Sequence, residues 1–481
     1  MIRRKNTLAL SASIALLALG VTSPAPAGAQ ASPEQIREAT AYREETFART
    51  IGLMAYIYAY PVVDYLRLMH LQTTPGGDPQ VFAPVNRYHF NTELSEPGGP
   101  FAGRSPNRDT LYFQAWYDLT NGPLILHAPD THGRYYNLDY VDLFSETAAH
   151  TGRRTTGTAA QNIYLVGPEW TGTAPEDMKL VRMNTERGLI FGRILVRSEE
   201  DLQAARDLAE AFTIDEAPGT EKAAAAPPLP SDVMSTLTFF EIANDYLRDA
   251  QIPAGEKAFL EQFDQIGIGP NSEFDIAKIS PATRRGLEQA IVEGQKLITE
   301  GRLWELRGWA PVKTKIGVYG TDYFQRAAIE YSGLLANMPE EAVYPRYRND
   351  LAGNVLSGTN SYRIVIPADL PVDAFWSLTA YDNATRDLIP NEARIYSVGS
   401  RDVDALRRRD DGSAVIAIQN ERPEDEGVNW LPVQPEPFYL ILRLYQPRPE
   451  AFEGGFALPP VEVCDDAGTC RQAGTTSVDG E

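Results

Sequence analysis

The chain has 481 residues, with 65 acidic side chains against 44 basic ones and a formal net charge of −21. A surface this acidic disfavours nucleic acid and anionic lipid as partners, and the length suits two or three domains.

Arg3, Arg4 and Lys5 precede an apolar run from Leu8 to Val21, and Ala27-Gly28-Ala29 follows it. This is the tripartite plan of a secretory signal peptide over 1–29, and the run falls short of the roughly 20 residues that cross a bilayer. Cleavage near Ala29 would leave a periplasmic or secreted chain with 41 basic and 65 acidic residues, a net charge of −24. No later stretch reaches spanning length, so no membrane span is expected.

From Pro33 to His70, Phe47, Ile51, Met54 and Tyr58 recur at helical spacing until Pro61, where the pattern implies a break. Short apolar or alternating runs separated by Gly, Pro, Asn and Asp then imply strands at 111–119, 124–127, 135–143, 162–166 and 188–196. Together they form a first β-rich domain over 30–200. Residues 201–350 read as a helical segment, with helices at 199–212, 231–250, 254–265, 281–300 and 322–336 and an Ala/Pro-rich linker at 220–230. Strands return at 362–366, 375–381, 414–419 and 438–445, giving a second β-rich domain over 351–460. The expected class is α+β: two antiparallel β-rich domains, sandwich- or barrel-like, joined by helices. In the polar tail, 461–481, the turn-like Asp-Asp-Ala-Gly-Thr separates Cys464 from Cys470, the only cysteines. The spacing implies a disulfide, consistent with an oxidising compartment.

The densest polar segment, Ser105-Pro106-Asn107-Arg108-Asp109-Thr110-Leu111-Tyr112, runs directly into a strand. Strand alternation would put Asn107 and Asp109 on the face of Leu111 and Phe113, where an unpaired amide or carboxylate costs several kcal/mol. They either find partners there as part of a site or cap the turn after Pro106. Arg104, Arg108, Arg134, Arg153 and Arg154 crowd the same region, and any that converge would form a pocket for a carboxylate, sulfate or phosphate. In Arg134-Tyr135-Tyr136-Asn137-Leu138-Asp139-Tyr140 neither alternating face is cleanly apolar, as in a strand lining a polar cavity or an interdomain surface. Phe438 to Tyr445 is apolar on both faces except for Arg443, whose charge needs an acidic partner or a ligand. Before it, Asn429-Trp430-Leu431-Pro432 reads as a turn. The five histidines show neither HExxH nor HxH spacing. The chain also lacks a GxSxG elbow, a Walker loop and a glycine-rich dinucleotide fingerprint, so serine-hydrolase, nucleotide and nicotinamide chemistry lose their usual support.

Residues 105–112, Asp118-Leu119 and Gly133-Arg134-Tyr135-Tyr136 resemble the domain of unknown function catalogued as number 1254. Residues 375–382, Asn429-Trp430-Leu431-Pro432 and the run from Phe438-Tyr439 to Arg443-Leu444-Tyr445 resemble its companion, number 1214. The resemblance implies an exported bacterial protein with two β-rich domains, compatible with a homo-oligomer, and it lends no assured reaction. Asn107, Asp109, Tyr112, Arg134, Tyr381, Asn429, Trp430 and Arg443 fall within its motifs. The enzymatic reading places a small anionic or polyhydroxylated compound in an interdomain pocket. There Asp109 would act as general base, Tyr112 as proton donor with Asn107 beside it, and Arg134 as substrate anchor, with Tyr381, Asn429, Trp430 and Arg443 completing the wall. The alternatives are a non-catalytic ligand-binding protein and a structural, envelope-associated one. No cofactor is called for. A divalent cation on Asp109 is conceivable, although no ligand spacing demands it.

Overall fold

Ser32 opens the first helix: its hydroxyl accepts the N–H of Gln35 at 3.2 Å while the Gln35 side chain accepts the N–H of Ser32 at 2.9 Å, and Pro33 takes the first helical position. This reciprocal cap satisfies donors that a helix start leaves orphaned. The structure, a computed structural model, describes residues 31–249, 252, 255–300, 307–333, 335–401, 403–465 and 468–474, and the expected leader lies outside them. Helix α1 (Pro33–Thr73) does not break at Pro61 but runs through it. An internal proline costs roughly 3 kcal/mol. Around it, however, Tyr58, Val62, Val63 and Tyr65 are completely buried, and burial of a single large apolar side chain contributes roughly 1.5–3 kcal/mol. Tertiary packing therefore overrides the local breaker.

That packing comes from a helical layer. After α2 (Leu202–Glu210), the chain forms α3 (Thr238–Asp249), α4 (Lys257–Leu260), α5 (Pro281–Glu300) and α6 (Tyr323–Gly333). Phe239 and Phe240 of α3, Leu287 and Ile291 of α5 and Ala327 of α6 share one core with Tyr56 and Tyr58 of α1. The helix expected at 254–265 shrinks to α4 and a 3₁₀ turn, Phe263–Ile266, closed by Gly267 at φ +77°, a left-handed residue of the kind that ends helices.

The first β-rich unit contains β1 (His89–Phe90), β2 (Thr110–Asp118), β3 (Leu124–Ala128), β4 (Tyr136–Asp142), β5 (Thr147–Gly152), β6 (Gln161–Val166), β7 (Lys179–Arg182), β8 (Arg187–Leu195) and, beyond residue 200, β9 (Thr213–Glu216). They form two open sheets, ordered β1-β2-β8-β4-β5 and β7-β6-β3-β9, in which only β6 and β7 run parallel. Leu111, Phe113 and Tyr117 of β2 and Tyr136, Leu138 and Tyr140 of β4 fill the space between the sheets with Leu126, Leu165 and Ile214. Alternate residues point the other way, so Tyr112 and Trp116 pack with Tyr65 and Met69 of α1. β2 is thus covered on both faces, which accounts for the lack of a clean polar side.

The second unit contains β10 (Ala342–Val343), β11 (Arg346–Tyr347), β12 (Leu356–Ser357), β13 (Ser361–Ile366), β14 (Val372–Asp382), β15 (Ser397–Gly399), β16 (Ala414–Gln419), β17 (Asn429–Pro432), β18 (Pro437–Pro447), β19 (Val461–Cys464) and β20 (Cys470–Gln472). One sheet runs β10-β18-β14-β15, with β11 and β12 also on β18; the other runs β17-β16-β13-β19-β20. The expected turn at 429–432 is β17, paired parallel to β16. Trp376, Leu378, Leu440, Leu442 and Leu444 face Ile364, Ile416 and Ile418 across this core. Cys464 and Cys470 are disulfide-bonded at the tip of the last hairpin. The two sandwiches and the helices make an α+β fold without a closed barrel among the described sheets.

Candidate functional site

The alternate residues of β14 and β18 are not a solvent face. Tyr381 donates its hydroxyl to the carbonyl of Pro106 at 2.5 Å, and the Ser105 and Tyr439 hydroxyls lie 2.7 Å apart. Ser377 donates to Asp109 Oδ2 at 2.6 Å, and Arg443 Nη2 donates to the Ser105 carbonyl at 2.6 Å. The polar segment before β2 is therefore a latch laid across the outer face of the second sandwich. This explains why β18 is apolar on one side and carries Tyr439, Arg443 and Tyr445 on the other: both sides are interior.

Beside the latch lies a cavity of about 680 Å³ between the two sandwiches and α6. Asn107, Tyr112, Phe191 and Arg193 of the first unit, Ile316, Ala328 and Ile329 of the helical segment, and Tyr344, Arg346 and Arg443 of the second unit line it. Among the described residues, Arg104, Lys313 and Lys315 bring the lining cations to six, against the single carboxylate of Asp322, a reversal of sign in a chain of net charge −21. Three of the four lining guanidiniums have a carboxylate acting on them. Arg193 meets Asp139 at 2.6 Å, Arg104 meets Asp64 at 3.8 Å, and Asp109 stabilises the cation of Arg443, which burial alone would oppose. Arg346 differs. Burial, and then the like charges of Arg443 and Arg386, push its pKa below the usual arginine value. Among the described residues its guanidinium makes no hydrogen bond or ion pair. A partly buried cation without a counter-ion is expensive, so the position suits an anion arriving from outside.

Asn107, Tyr112 and Arg443 thus meet on one wall, with Tyr381 directly behind, 5.4 Å from ring centroid to the Arg443 guanidinium. Asn107 does cap the turn, its Oδ1 accepting the N–H groups of Asp109 and Thr110 at 2.8 and 3.0 Å. That turn ends the regular alternation, so Asp109 departs from the Leu111 face and enters the latch, fully buried, with Arg401 Nε 3.7 Å away. Arg134 lies elsewhere, donating to the Leu195 carbonyl at 2.7 Å and to both oxygens of Asp201. Asn429 and Trp430 border a separate hollow of about 700 Å³ within the second unit. There Asn429 clips Arg407 and Val415 backbone groups and Trp430 donates to the Gln419 carbonyl. Among the described residues, no group of three His, Cys, Asp or Glu side chains could hold a metal ion.

The seam next to the cavity carries a second buried set. His150 lies between Asp139 (2.7 Å) and Glu341 (3.1 Å), and Glu341 also receives Arg154 Nε at 2.8 Å and the Tyr135 hydroxyl at 2.7 Å. Burial disfavours both charges, yet the carboxylate neighbours raise His150 to about 9, and His150, Arg154 and Tyr135 hold Glu341 down to about 2. Arg193, Tyr344, Arg346 and this histidine cluster were not singled out from sequence. The signal that exposed Arg443, one charge in an apolar strand, was equally present around Arg193 in Leu189-Ile190-Phe191-Gly192-Arg193-Ile194-Leu195.

No helix among the described residues is long and apolar enough to cross a membrane. Among curated proteins none matches the chain. Of solved structures, the VPA0106 protein from Vibrio parahaemolyticus is similar over 87% of this chain and 100% of its own, at 24% identity with a TM-score of 0.67, a likeness of fold. An uncharacterized protein from Burkholderia cenocepacia covers 89% of this chain and 97% of its own, at 12% identity and a TM-score of 0.42. Residues 85–216 match the family described as protein of unknown function DUF1254, and residues 341–449 match protein of unknown function DUF1214. Carrying both domains in a single polypeptide, the chain belongs to the paired DUF1254/DUF1214 family.

Proposed function

We propose that this protein binds a small anionic compound with an apolar body in the cavity between its two sandwiches. What supports this most directly is Arg346, a cation with no hydrogen-bond or ion-pair partner among the described residues, in a cavity whose apolar lining includes Phe101, Phe191, Ile316, Ile329 and Leu335. Ligand sites are typically hollows of about 300–1,000 Å³, largely apolar, with a few convergent polar groups. In this reading Asn107, Tyr112 and Arg443 contact the ligand and Tyr381 supports Arg443. Asp109 braces the latch rather than acting as a base, since it is fully buried outside the cavity lining, with Ser377 donating to Oδ2 and Arg401 3.7 Å from Oδ1. Among the described residues the cavity lining contains no histidine and one carboxylate, Asp322, so binding has more direct support than proton-transfer catalysis. Export belongs to the same proposal, supported by the leader-like first 29 residues and by the disulfide.

Calorimetric titration with octanoate tests it. The parent should bind. Arg346→Gln, at a half-buried position and with no internal partner to lose, should weaken binding roughly ten- to hundredfold, the worth of a charged hydrogen bond of about 1.5–3 kcal/mol, with no large loss of thermal stability. Equal affinity in parent and variant, or no binding to either, would overturn it.

A further inference from the structure

Two tyrosines on the cavity wall are held in the same unusual way. The Tyr112 hydroxyl accepts both the backbone N–H of Asn107 at 3.1 Å and its side-chain Nδ2 at 2.6 Å. The Tyr344 hydroxyl accepts both the backbone N–H of Asn337 at 3.1 Å and its Nδ2 at 2.8 Å. The orientation of each amide is fixed from its far side. Asn107 Oδ1 takes the N–H groups of Asp109 and Thr110, and Asn337 Oδ1 takes Arg193 Nη1 at 2.8 Å and Asn137 Nδ2 at 2.7 Å. Neither amide can flip without setting donor against donor. In both pairs the asparagine is therefore the donor and the phenol the acceptor.

A phenol oxygen has one proton to give and two lone pairs to receive. With both lone pairs engaged, each hydroxyl has only its proton left to commit, and among the described residues neither finds an acceptor. Both residues line the same cavity, and both feel the same two guanidiniums, Arg193 and Arg443. Burial nevertheless raises both pKa values, so the protons stay on.

We infer that Tyr112 and Tyr344 form a twin phenol receptor that donates two hydrogen bonds to the carboxylate of an apolar monocarboxylic acid bound in the cavity. The inference rests on the anion-binding reading above and specifies the head group. Arg346 is the lining guanidinium that makes no ion pair among the described residues, and two directional donors beside it match the two oxygens of a carboxylate, which favours a carboxylate over a phosphate ester. The apolar walls take the body of the acid. Two phenols held by asparagines, rather than two more cations, supply directional donors without adding charge to an already cationic wall.

The test is a calorimetric comparison of octanoate, octanamide and octyl phosphate on the parent, Tyr112→Phe, Tyr344→Phe, the double phenylalanine variant and Arg346→Gln. Phenylalanine keeps the ring and removes only the donor. Each single change should weaken octanoate roughly ten- to hundredfold, while octanamide, an uncharged isostere, loses less. Octyl phosphate should bind the parent more weakly than octanoate. If the double variant binds octanoate as the parent does while Arg346→Gln still weakens it, the receptor is wrong and the anion pocket survives. If octyl phosphate binds the parent more tightly, the carboxylate assignment is wrong. If Arg346→Gln changes nothing, the pocket reading itself falls and the receptor with it.

Discussion

Replacing Glu341 with alanine is expected to destabilise the protein by about 3–5 kcal/mol, because removing one member of a buried ionic set leaves its partners uncompensated. Glu341 is completely buried, and His150, Arg154 and Tyr135 all converge on it across the seam. The pH dependence gives the sharper signature. His150 titrates near 9 in the folded protein against 6.5 when free, so its contribution is complete below about 6.5 and is lost as pH rises through 9. Glu341 titrates near 2 against 4.5, so its contribution is complete above about 4.5 and is lost as pH falls through 2. The two shifts describe one ion pair and count once. The denaturation midpoint of the parent minus that of Glu341→Gln should therefore be largest between about pH 4.5 and 6.5 and shrink on either side. Half-buried Glu146 and buried Glu330, raised chiefly by desolvation to about 7 and 8, also weaken the fold as pH rises, but they are common to both proteins and cancel in the difference. A difference that stays flat from pH 3 to 9 would show that the pair does not hold the seam.

The second large effect is expected at Asp109. Its carboxylate is fully buried, accepts from Ser377 and faces Arg401 and Arg443. Asp109→Ala should cost about 3–5 kcal/mol. Asp109→Asn, which keeps an oxygen for Ser377, should cost about 1–3 kcal/mol. Neither should weaken octanoate, since each removes negative charge from behind the anion site, and tighter binding is the expected direction. Thermal melting and calorimetry on the same samples separate the two roles. A carboxylate that served the ligand would show the opposite pattern, with lost affinity and unchanged melting.

Much of this architecture is legible in the sequence because strands and helices carry their own periodicity. The strands at 414–419 and the helix at 281–300 fall where the pattern puts them. The exceptions have physical causes. Pro61 reads as a breaker because sequence shows its lost N–H but not the tyrosines and valines that enclose α1. Asn429-Trp430-Leu431-Pro432 reads as a turn because a four-residue strand parallel to its neighbour has too little length to show alternation. At the site, Arg443 is legible as a charge with nowhere to go, whereas Arg346 sits in the two-residue strand β11, which has no pattern of its own. Asp109 is misplaced by strand parity because the Asn107 turn resets the register just before β2. The Tyr344–Asn337 pair could not be seen at all until the fold showed it repeating the geometry of Tyr112 and Asn107.

The most direct measurement is a crystal structure of the parent grown with octanoate. The carboxylate should lie within hydrogen-bond distance of both the Tyr112 and Tyr344 hydroxyls, with the alkyl chain against Phe101, Phe191 and Ile316. Octanoate seated elsewhere on the protein while the cavity holds only water would contradict it.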